Sequence, residues 1–375
     1  MNIAVNTRLL LDNRLEGIGW FTFETLKRMV VQHPEHRFYF IFDRSYHEKF
    51  IFSDNVVPVV IGPQARHPLL FFLWFEFSVP RVLKKIKADM FLSPDGYGSL
   101  RCHIPQLLVM HDLNFEHYPN DLPGIISRYY RYFFPRFARK ATRIATVSEF
   151  SKQDIFKTYG IAADRIDVVY NGVNENFAPI TAEQKTTVKE RYTHGCDYFV
   201  YIGALLPRKN VKNLFLAYDM FRQQHSSDIK LLMVGARMWW TPDMEGVLNG
   251  LENKNDIFFT GRIDSGGLKD VLGAALALTY VSYFEGFGIP ILEAFRCEVP
   301  VITSEVTSMP EVAGGAALLV NPQQPESISA AMNQITVDEN LRQSLIAKGR
   351  QRCAGFSWNR TAALLWQSIE KIIKQ

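Results

Sequence analysis

The sequence predicts an α/β protein built from two successive parallel-sheet halves, and three observations predict it. Short β-branched runs alternate with helix-period segments along most of the chain, the pattern of parallel strands joined by crossover helices. The 375 residues exceed what one core usually holds, since domains cluster at about 100–150 residues and cores stop growing near about 250–300. The alternation breaks in a polar, weakly patterned stretch from Ala178 to His194, read as a linker, and then restarts. The domains so drawn are 1–177, 178–357 and a closing helix, 358–375, able to pack on either half and assigned to the N-terminal one.

In the first half Ile3–Val5 is a strand, Trp20–Gln32 a helix and Phe38–Phe42 a strand. Leu107–Met110, a helix from Ile125 to Ala141 and the run Ile144–Val147 follow. Ser151 and Asp154 have the spacing of a capping box opening a helix through Thr158. Strand Ile166–Tyr170 and the turn dipeptide Asn171-Gly172 close the half. The second half begins with strand Tyr198–Ile202, a helix from Asn210 to about His225, and strands Lys230–Val234 and Ile257–Thr260. A helix around Leu268–Ala275, strand Leu278–Val281, helix Pro290–Cys297 and strand Val299–Thr303 come next. Ala317–Val320, helices over 325–351 and a last helix Thr361–Ile373 complete it.

Lys and Arg number 42 against 38 Asp and Glu, a net charge of +4 with a pI of about 8.7. That balance excludes a tight non-specific nucleic-acid binder, which needs clustered charge and a pI above about 9. An anionic small ligand held by a few local cations stays open. Cys102, Cys196, Cys297 and Cys353 are far apart with no CxxC, so neither a zinc site nor a disulfide framework is expected, and the thiols read as reduced and cytosolic. Met1–Arg8 reads as a first strand and not a signal peptide, and no apolar run reaches the ~18 residues of a membrane span.

The most informative segment is Tyr283-Phe284-Glu285-Gly286-Phe287-Gly288-Ile289-Pro290-Ile291-Leu292-Glu293. A strand ends before it, two glycines permit an unusual backbone path, and Pro290 suits the first helical position. The unpaired amides and positive dipole end of such a helix start attract a phosphate. Glu293, read as first-turn, can accept from a diol such as a ribose, and Glu285 lies nearer whatever the phosphate carries. Glu293 complementing the dipole and Glu285 as a solvated loop carboxylate is an equal alternative. Gly203-Ala204-Leu205-Leu206-Pro207-Arg208-Lys209-Asn210 also links a strand to a helix. Its two cations could neutralise charge developing on a diphosphate without a metal; an isolated solvent-facing pair is the plainer reading.

Gly17-Ile18-Gly19 precedes the first helix, but the GxGxxG fingerprint would need glycine at Thr22, which disfavours a nicotinamide site. These glycines either admit a bulky ligand or serve a plain turn. His111-Asp112 ends a strand at the ligand-facing edge, where a buried structural histidine is the default. Nothing resembles HExxH, a P-loop or GxSxG, and there is no Asp-x-Asp of the kind that holds a divalent ion for a nucleotide sugar.

Together these residues resemble the family 4 glycosyltransferases, retaining enzymes of the GT-B fold, over nearly the whole chain. Glu285 to Glu293 is similar to the family's Glu-x7-Glu motif. Gly17-Ile18-Gly19, His111-Asp112, Val147-Ser148-Glu149-Phe150-Ser151, Val169-Tyr170-Asn171-Gly172-Val173, Val299-Pro300-Val301-Ile302, Pro310-Glu311-Val312 and Phe356-Ser357-Trp358 follow in the family's order. The resemblance implies two Rossmann-like domains facing across a deep cleft. It implies that Glu293 binds the ribose, that Glu285 takes donor-sugar hydroxyls, and that Gly286, Phe287, Gly288 and Ile289 hold the diphosphate. Arg208 and Lys209 would stabilise the departing nucleoside diphosphate, Arg262 and Ile263 would frame the nucleobase, and His111 would face the reacting sugar. Gly17 and Gly19 would line the donor site, with the acceptor beside them.

Neither a cofactor nor a metal ion is implied; the partners are a nucleotide-sugar donor (a GDP- or UDP-hexose) and a glycan or lipid-linked oligosaccharide acceptor. One departure is Ala204, where the family's cation motif begins Gly-Arg. The Pro-Arg-Lys-Asn version resembles a mannosyltransferase branch, which implies GDP-mannose and surface-polysaccharide assembly such as lipopolysaccharide. Sugar-nucleotide epimerases, sugar phosphorylases and a non-catalytic sugar-nucleotide binder share the architecture and stay open here.

Aromatic residues make up 13% of the chain and clump at 68–75 and 129–136, next to Arg81–Lys87 and Arg128–Lys140. Such mixtures suit an anionic bilayer surface, so a cytoplasmic protein peripheral on the inner face of the cell membrane is expected. A core helix with a basic exposed edge is the competing reading.

Overall fold

The computed structural model describes residues 1–12, 15–225, 227–238 and 240–374, excluding the side chain of residue 265. The chain divides into two compact units, Met1–Gly172 with Ser357–Gln375, and Val173–Phe356. The crossing point is therefore Gly172/Val173, earlier than the expected 177/178.

The first unit is a seven-stranded parallel sheet of β1 (Asn2–Asn6), β2 (Arg37–Phe42), β3 (Val56–Val60), β4 (Met90–Ser93), β5 (Gln106–Val109), β6 (Arg143–Thr146) and β7 (Ile166–Val168). Their order is β3-β2-β1-β4-β5-β6-β7. The central strands are buried throughout, as parallel strands covered on both faces must be. β3 and β4 were not expected from the sequence. Pro58 interrupts the β3 run and is tolerated because β3 is an edge strand, and β4 is a four-residue run with no alternation.

The first helix is Gly17–Gln32, so Gly17 and Gly19 form its opening turn and not a loop ahead of it. Gly19 is packed there: an added Cβ would stand 3.1 Å from the Leu9 carbonyl oxygen. Ser148, not Ser151, caps helix Glu149–Tyr159, its Oγ accepting the Ser151 N–H.

Helix Trp358–Ile373 belongs to this unit. Trp366 stacks on His33 at 3.5 Å between ring centroids, Thr361 Oγ1 donates to the Tyr170 carbonyl at 2.8 Å, and Lys371 Nζ reaches Asp167 at 2.7 Å. The chain returns past Gly172, where a Cβ would lie 2.3 Å from the Trp358 nitrogen. Only a residue without a side chain fits.

The second unit is a six-stranded parallel sheet of β8 (Tyr198–Ile202), β9 (Lys230–Val234), β10 (Ile257–Gly261), β11 (Ala277–Tyr280), β12 (Val301–Ser304) and β13 (Leu318–Val320), in the order β10-β9-β8-β11-β12-β13. The stretch read as a linker is a helix, Ala182–Thr193, opened by a capping box between Thr181 and Gln184. Its two buried residues, Val188 and Thr193, are too few to print an apolar stripe on the sequence. Helix Pro242–Gly250 was also not expected.

In each sheet the strand order reverses once, between β1 and β4 and between β8 and β11. Ligands of open α/β sheets collect outside the carboxyl ends of strands at such a switch point.

Candidate active site

Both segments singled out in the second half leave the switch-point strands of the second sheet. After β8 the chain turns at Gly203 (φ 149°). Gly235, after β9, approaches so closely that a Cβ there would be 1.8 Å from the Gly203 carbonyl oxygen. Pro207–Lys209 form one 3-10 turn, ended by Asn210 in the left-handed region (φ 59°). The Asn210 side-chain amide holds this conformation by donating to the carbonyls of Val281 at 2.9 Å and Pro322 at 2.6 Å. Helix Val211–Gln224 follows.

After β11 the Tyr283 N–H donates to the Arg208 carbonyl at 3.1 Å, stapling the two loops together. Ser308 Oγ lies 2.9 Å from the carbonyls of both Glu285 and Phe287 and donates to them. Gly288 (φ 108°) precedes helix Ile289–Arg296. Pro290 is thus the second helical residue and Glu293 the fifth. Glu293 lies beyond the first turn, which removes its reading as a dipole-complementing residue.

The structure brings Arg208, Lys209 and Glu285 together. Lys209 Nζ is 2.5 Å from Glu285 Oε1, and Arg208 Nη1 is 3.2 Å from Glu285 Oε2 and donates to the Phe284 carbonyl at 3.2 Å. Glu285 and Lys209 are buried, so Glu285 is not a solvated loop carboxylate. Burial pushes its pKa up, but Lys209 first and Arg208 second override that and hold it down at about 2. Arg208, Lys209 and Glu285 sum to +2 − 1 = +1, a cationic cluster at the strand ends.

Sequence reasoning missed Tyr280. Its hydroxyl accepts from Lys209 Nζ at 2.6 Å, and burial together with neighbouring Glu285 raises its pKa well above the ordinary phenol value, keeping it neutral. The ammonium is therefore held from two sides.

Glu293 is partly buried, and among the described residues its carboxyl has no hydrogen-bond or ion-pair partner. Burial alone lifts its pKa to about 7. Gly286, Phe287, Gly288 and Ile289 lie on the same turn, Phe287 packed edge-on to Phe356 at 5.9 Å. Arg262 and Ile263 follow β10 and line a cavity of about 510 Å³ with Arg191, Tyr192, Leu232 and Phe258.

His111, in the first unit, follows β5. Its Nε2 lies 2.8 Å from the Pro94 carbonyl and its ring meets Phe21 edge-on at 5.0 Å. Burial lowers its pKa, so it is a neutral imidazole whose Nε2–H is committed to that carbonyl and whose Nδ1 is left as the acceptor. Gly17 and Gly19 also lie in the first unit, at the helix that follows β1. Among the described residues no three His, Cys, Asp or Glu side chains are grouped as a metal site requires.

A buried carboxylate fixing two cations beside a glycine-led helix start is an arrangement suited to an anion. Comparison with known families decides which kind. The model described as glycosyl transferases group 1 matches residues 184–352, and that described as glycosyltransferase family 4 matches residues 16–177. The chain belongs to the group 1, family 4 glycosyltransferases. This glycosyltransferase is 28% identical to "O-antigen chain mannosyltransferase B" of Escherichia coli, over 92% of this chain and 93% of that one. It is 27% identical to "O-antigen chain mannosyltransferase RfbU" of Salmonella typhimurium, over 77% and 78% of the two. The sucrose-phosphate synthase structure from Thermosynechococcus elongatus superposes with a TM-score of 0.76 at 18% identity, covering 100% of this chain and 99% of that one. The two Rossmann-like sheets of the glycosyltransferase are those of the GT-B fold. Membership answers the first of the alternatives left open by the sequence: the protein is a glycosyltransferase.

Proposed function

We propose that this glycosyltransferase moves a mannosyl residue from GDP-mannose to a hydroxyl of a growing, lipid-carried surface glycan in the cytoplasm, with retention of configuration and without a metal ion. The observation that carries the chemistry is the pair of cations fixed on Glu285 at the switch point, where negative charge develops as the donor breaks. The observation that favours mannose is that both relatives above bear the name mannosyltransferase.

Bond breaking places charge on the leaving nucleoside diphosphate. Arg208 and Lys209 meet that charge with donors already oriented, so little reorganisation is paid in the transition state; losing one such donor costs about 3–4 kcal/mol. Glu293 accepts from the ribose hydroxyls, Arg262 and Ile263 border the base, and Glu285 takes a sugar hydroxyl while restraining the cations. His111 is assigned to the reacting sugar by its place in the family's motif order alone. The acceptor oxygen forms its bond to the anomeric carbon on the face the diphosphate leaves, and its proton passes to a diphosphate oxygen. Most retaining glycosidases use a carboxylate nucleophile about 5 Å from an acid, whereas here Glu285 is already engaged by two cations.

A thermal-shift panel of GDP, UDP, GDP-mannose and UDP-hexoses, with and without EDTA, tests donor and metal together. Stabilisation by GDP-mannose in EDTA is the expected result, and stabilisation only by uridine nucleotides or only with a divalent ion refutes it. The anomeric configuration of the product, read by NMR, tests retention.

A further inference from the structure

The loop that follows β4 is held by a buried polar cluster to which the reaction above assigns no role. Asn6 ends β1, Arg8 lies two residues beyond it, Ser93 ends β4 and Asp95 follows in the loop; all four are buried. The cluster therefore sits at the switch point of the first sheet. Asp95 is its hub. Its Oδ1 accepts from Asn6 Nδ2 at 2.8 Å, from Ser93 Oγ at 3.0 Å and from the Tyr97 N–H at 3.4 Å, and its Oδ2 accepts from Arg8 Nε at 2.7 Å. Asn6 Oδ1 accepts the Arg8 N–H at 3.3 Å, and the Asn6 amide also donates to Ser93 Oγ at 3.0 Å, so the group closes on itself. Arg8 is fixed on its other side as well: Nη1 donates to the Ala65 carbonyl at 3.3 Å, and the guanidinium lies 4.4 Å from the Tyr97 ring centre.

Asp95 is joined to Pro94 by one peptide, and the carbonyl of that peptide is the group that receives His111 Nε2–H at 2.8 Å. The hydrogen bonds on the Asp95 carboxylate thus restrain the plane in which this carbonyl points. Gly96, at φ 80°, turns the chain at once, and a Cβ there would stand 3.1 Å from the Phe134 ring, so the loop has little room to slide. The other neighbours of His111 do not choose between its nitrogens. Phe21, from helix Gly17–Gln32, meets the ring edge-on at 5.0 Å, and Ser151 Oγ donates to the His111 backbone carbonyl at 3.2 Å. Burial disfavours the imidazolium and outweighs Asp112 and Asp95, the charged groups that favour it. In a neutral imidazole one nitrogen donates and the other accepts. Among the described residues, the Pro94 carbonyl is the hydrogen-bond partner that makes Nδ1 the acceptor.

We propose that Asp95, held by Arg8 and Asn6, is a positioning residue for His111: it fixes the Pro94 carbonyl, and through it the ring orientation and the tautomer that leaves Nδ1 as acceptor for a substrate hydroxyl. A hydroxyl that meets Nδ1 then donates to it. If the carbonyl turned away, the proton could move to Nδ1, and the same hydroxyl would face a donor in place of an acceptor. A buried ion pair contributes little net stability over an apolar replacement, so this one is accounted for by what it orients. The consequence for transfer rests on the assignment of His111 to the reacting sugar, whereas the consequence for the tautomer rests on the contacts just described.

The test is NMR of the full chain with isotope-labelled histidine, the His111 signal being identified by its loss in His111→Gln. Initial rates of GDP-mannose hydrolysis, which need no acceptor, are measured beside it. The parent is expected to carry the His111 proton on Nε2 at neutral pH. Asp95→Asn keeps the shape and the Oδ1 contacts but turns a donor toward Arg8 Nε. It is expected to give His111 a mixture of both tautomers and to slow hydrolysis by at least about 10-fold. Ser93→Ala removes one of the donors to Asp95, is expected to shift the tautomer in the same direction by less, and replaces Asp95→Asn if that variant does not fold. Glu76 is another buried carboxylate of this unit, accepting the N–H groups of Leu100 and Arg101; Glu76→Gln is expected to leave the His111 signal and the rate as in the parent. A parent with the proton on Nδ1, a proton that stays on Nε2 in the folded Asp95 or Ser93 variants, or an equal shift in Glu76→Gln overturns the proposal. If the tautomer shifts as expected while His111→Gln hydrolyses the donor at the parent's rate, the positioning stands and the assignment of His111 to the reacting sugar falls.

Discussion

Lys209 and Tyr280, seventy-one positions apart, meet at 2.6 Å at the ends of adjacent strand connections, and Glu285 closes the group 2.5 Å from the same ammonium. The lysine is thus a fixed charge with its donors directed before any donor sugar arrives. Tyr280→Phe removes one restraint and keeps the ring. The expected result is a fall in kcat and weaker inhibition by the nucleoside diphosphate, with a stability loss of only about 1–2 kcal/mol. Steady-state kinetics beside thermal melting check this; an unchanged diphosphate inhibition constant refutes a positioning role.

The buried ion pair separates stability from catalysis. Breaking such a pair leaves an uncompensated buried charge and costs about 3–5 kcal/mol, whereas replacing both partners with apolar groups is often neutral. Here Arg208 still faces Glu285, so Lys209→Met is expected to cost somewhat less, about 1–3 kcal/mol, and to reduce transfer by about 10²–10³. Lys209→Met with Glu285→Leu is expected to regain much of the stability and none of the activity. Denaturant melts and initial rates on the three proteins read both quantities.

How legible this was follows from the range over which each signal is written. Arg208, Lys209, Glu285 and Glu293 lie in contiguous motifs whose glycines and proline announce strand-to-helix turns, so their placement at or just after those turns could be anticipated without a fold. Tyr280 carries no such signal: it reads as one more buried strand residue, and only sheet order brings its hydroxyl to Lys209. Helix Ala182–Thr193 was hidden because it is polar nearly all round, although the Thr181–Gln184 spacing that caps it was visible. β3 was hidden by Pro58, which excludes a central strand but not an edge. Gly172 was read as a turn residue, while its constraint is the backbone passing it almost two hundred positions later.

That constraint is testable. A methyl at Gly172 would lie 2.3 Å from the Trp358 nitrogen and 2.6 Å from the Ser357 carbonyl carbon, both backbone atoms that cannot rotate away. Gly172→Ala should therefore displace the start of helix Trp358–Ile373 and lower stability by about 2–3 kcal/mol. Thermal melting followed by tryptophan fluorescence measures it, and a melt within a degree of the parent would show that the passage is looser than its geometry.

Glu293 gives the molecule a pH dependence whose sign can be worked out. Its folded pKa, about 7 against 4.5 for an ordinary glutamate, is raised by burial without any compensating partner. Between these values the folded state holds a proton that the unfolded state has released, so this group's contribution to stability falls as pH rises from 4.5 through 7 and stays low above it. Glu293→Gln removes the ionisation and should be more stable than the parent at pH 8, by about 1–2 kcal/mol since the carboxyl is only partly buried, and little different at pH 4.5. If the carboxylate is what accepts the ribose hydroxyls, the parent's affinity for the nucleoside diphosphate rises from pH 6 to pH 8 as Glu293 ionises. The glutamine variant then binds more weakly at pH 8 and loses that rise. Calorimetric titrations at the two pH values, beside melts of both proteins, test stability and binding independently. A parent affinity flat across this window would remove Glu293 from the ribose contact even if the stability prediction held.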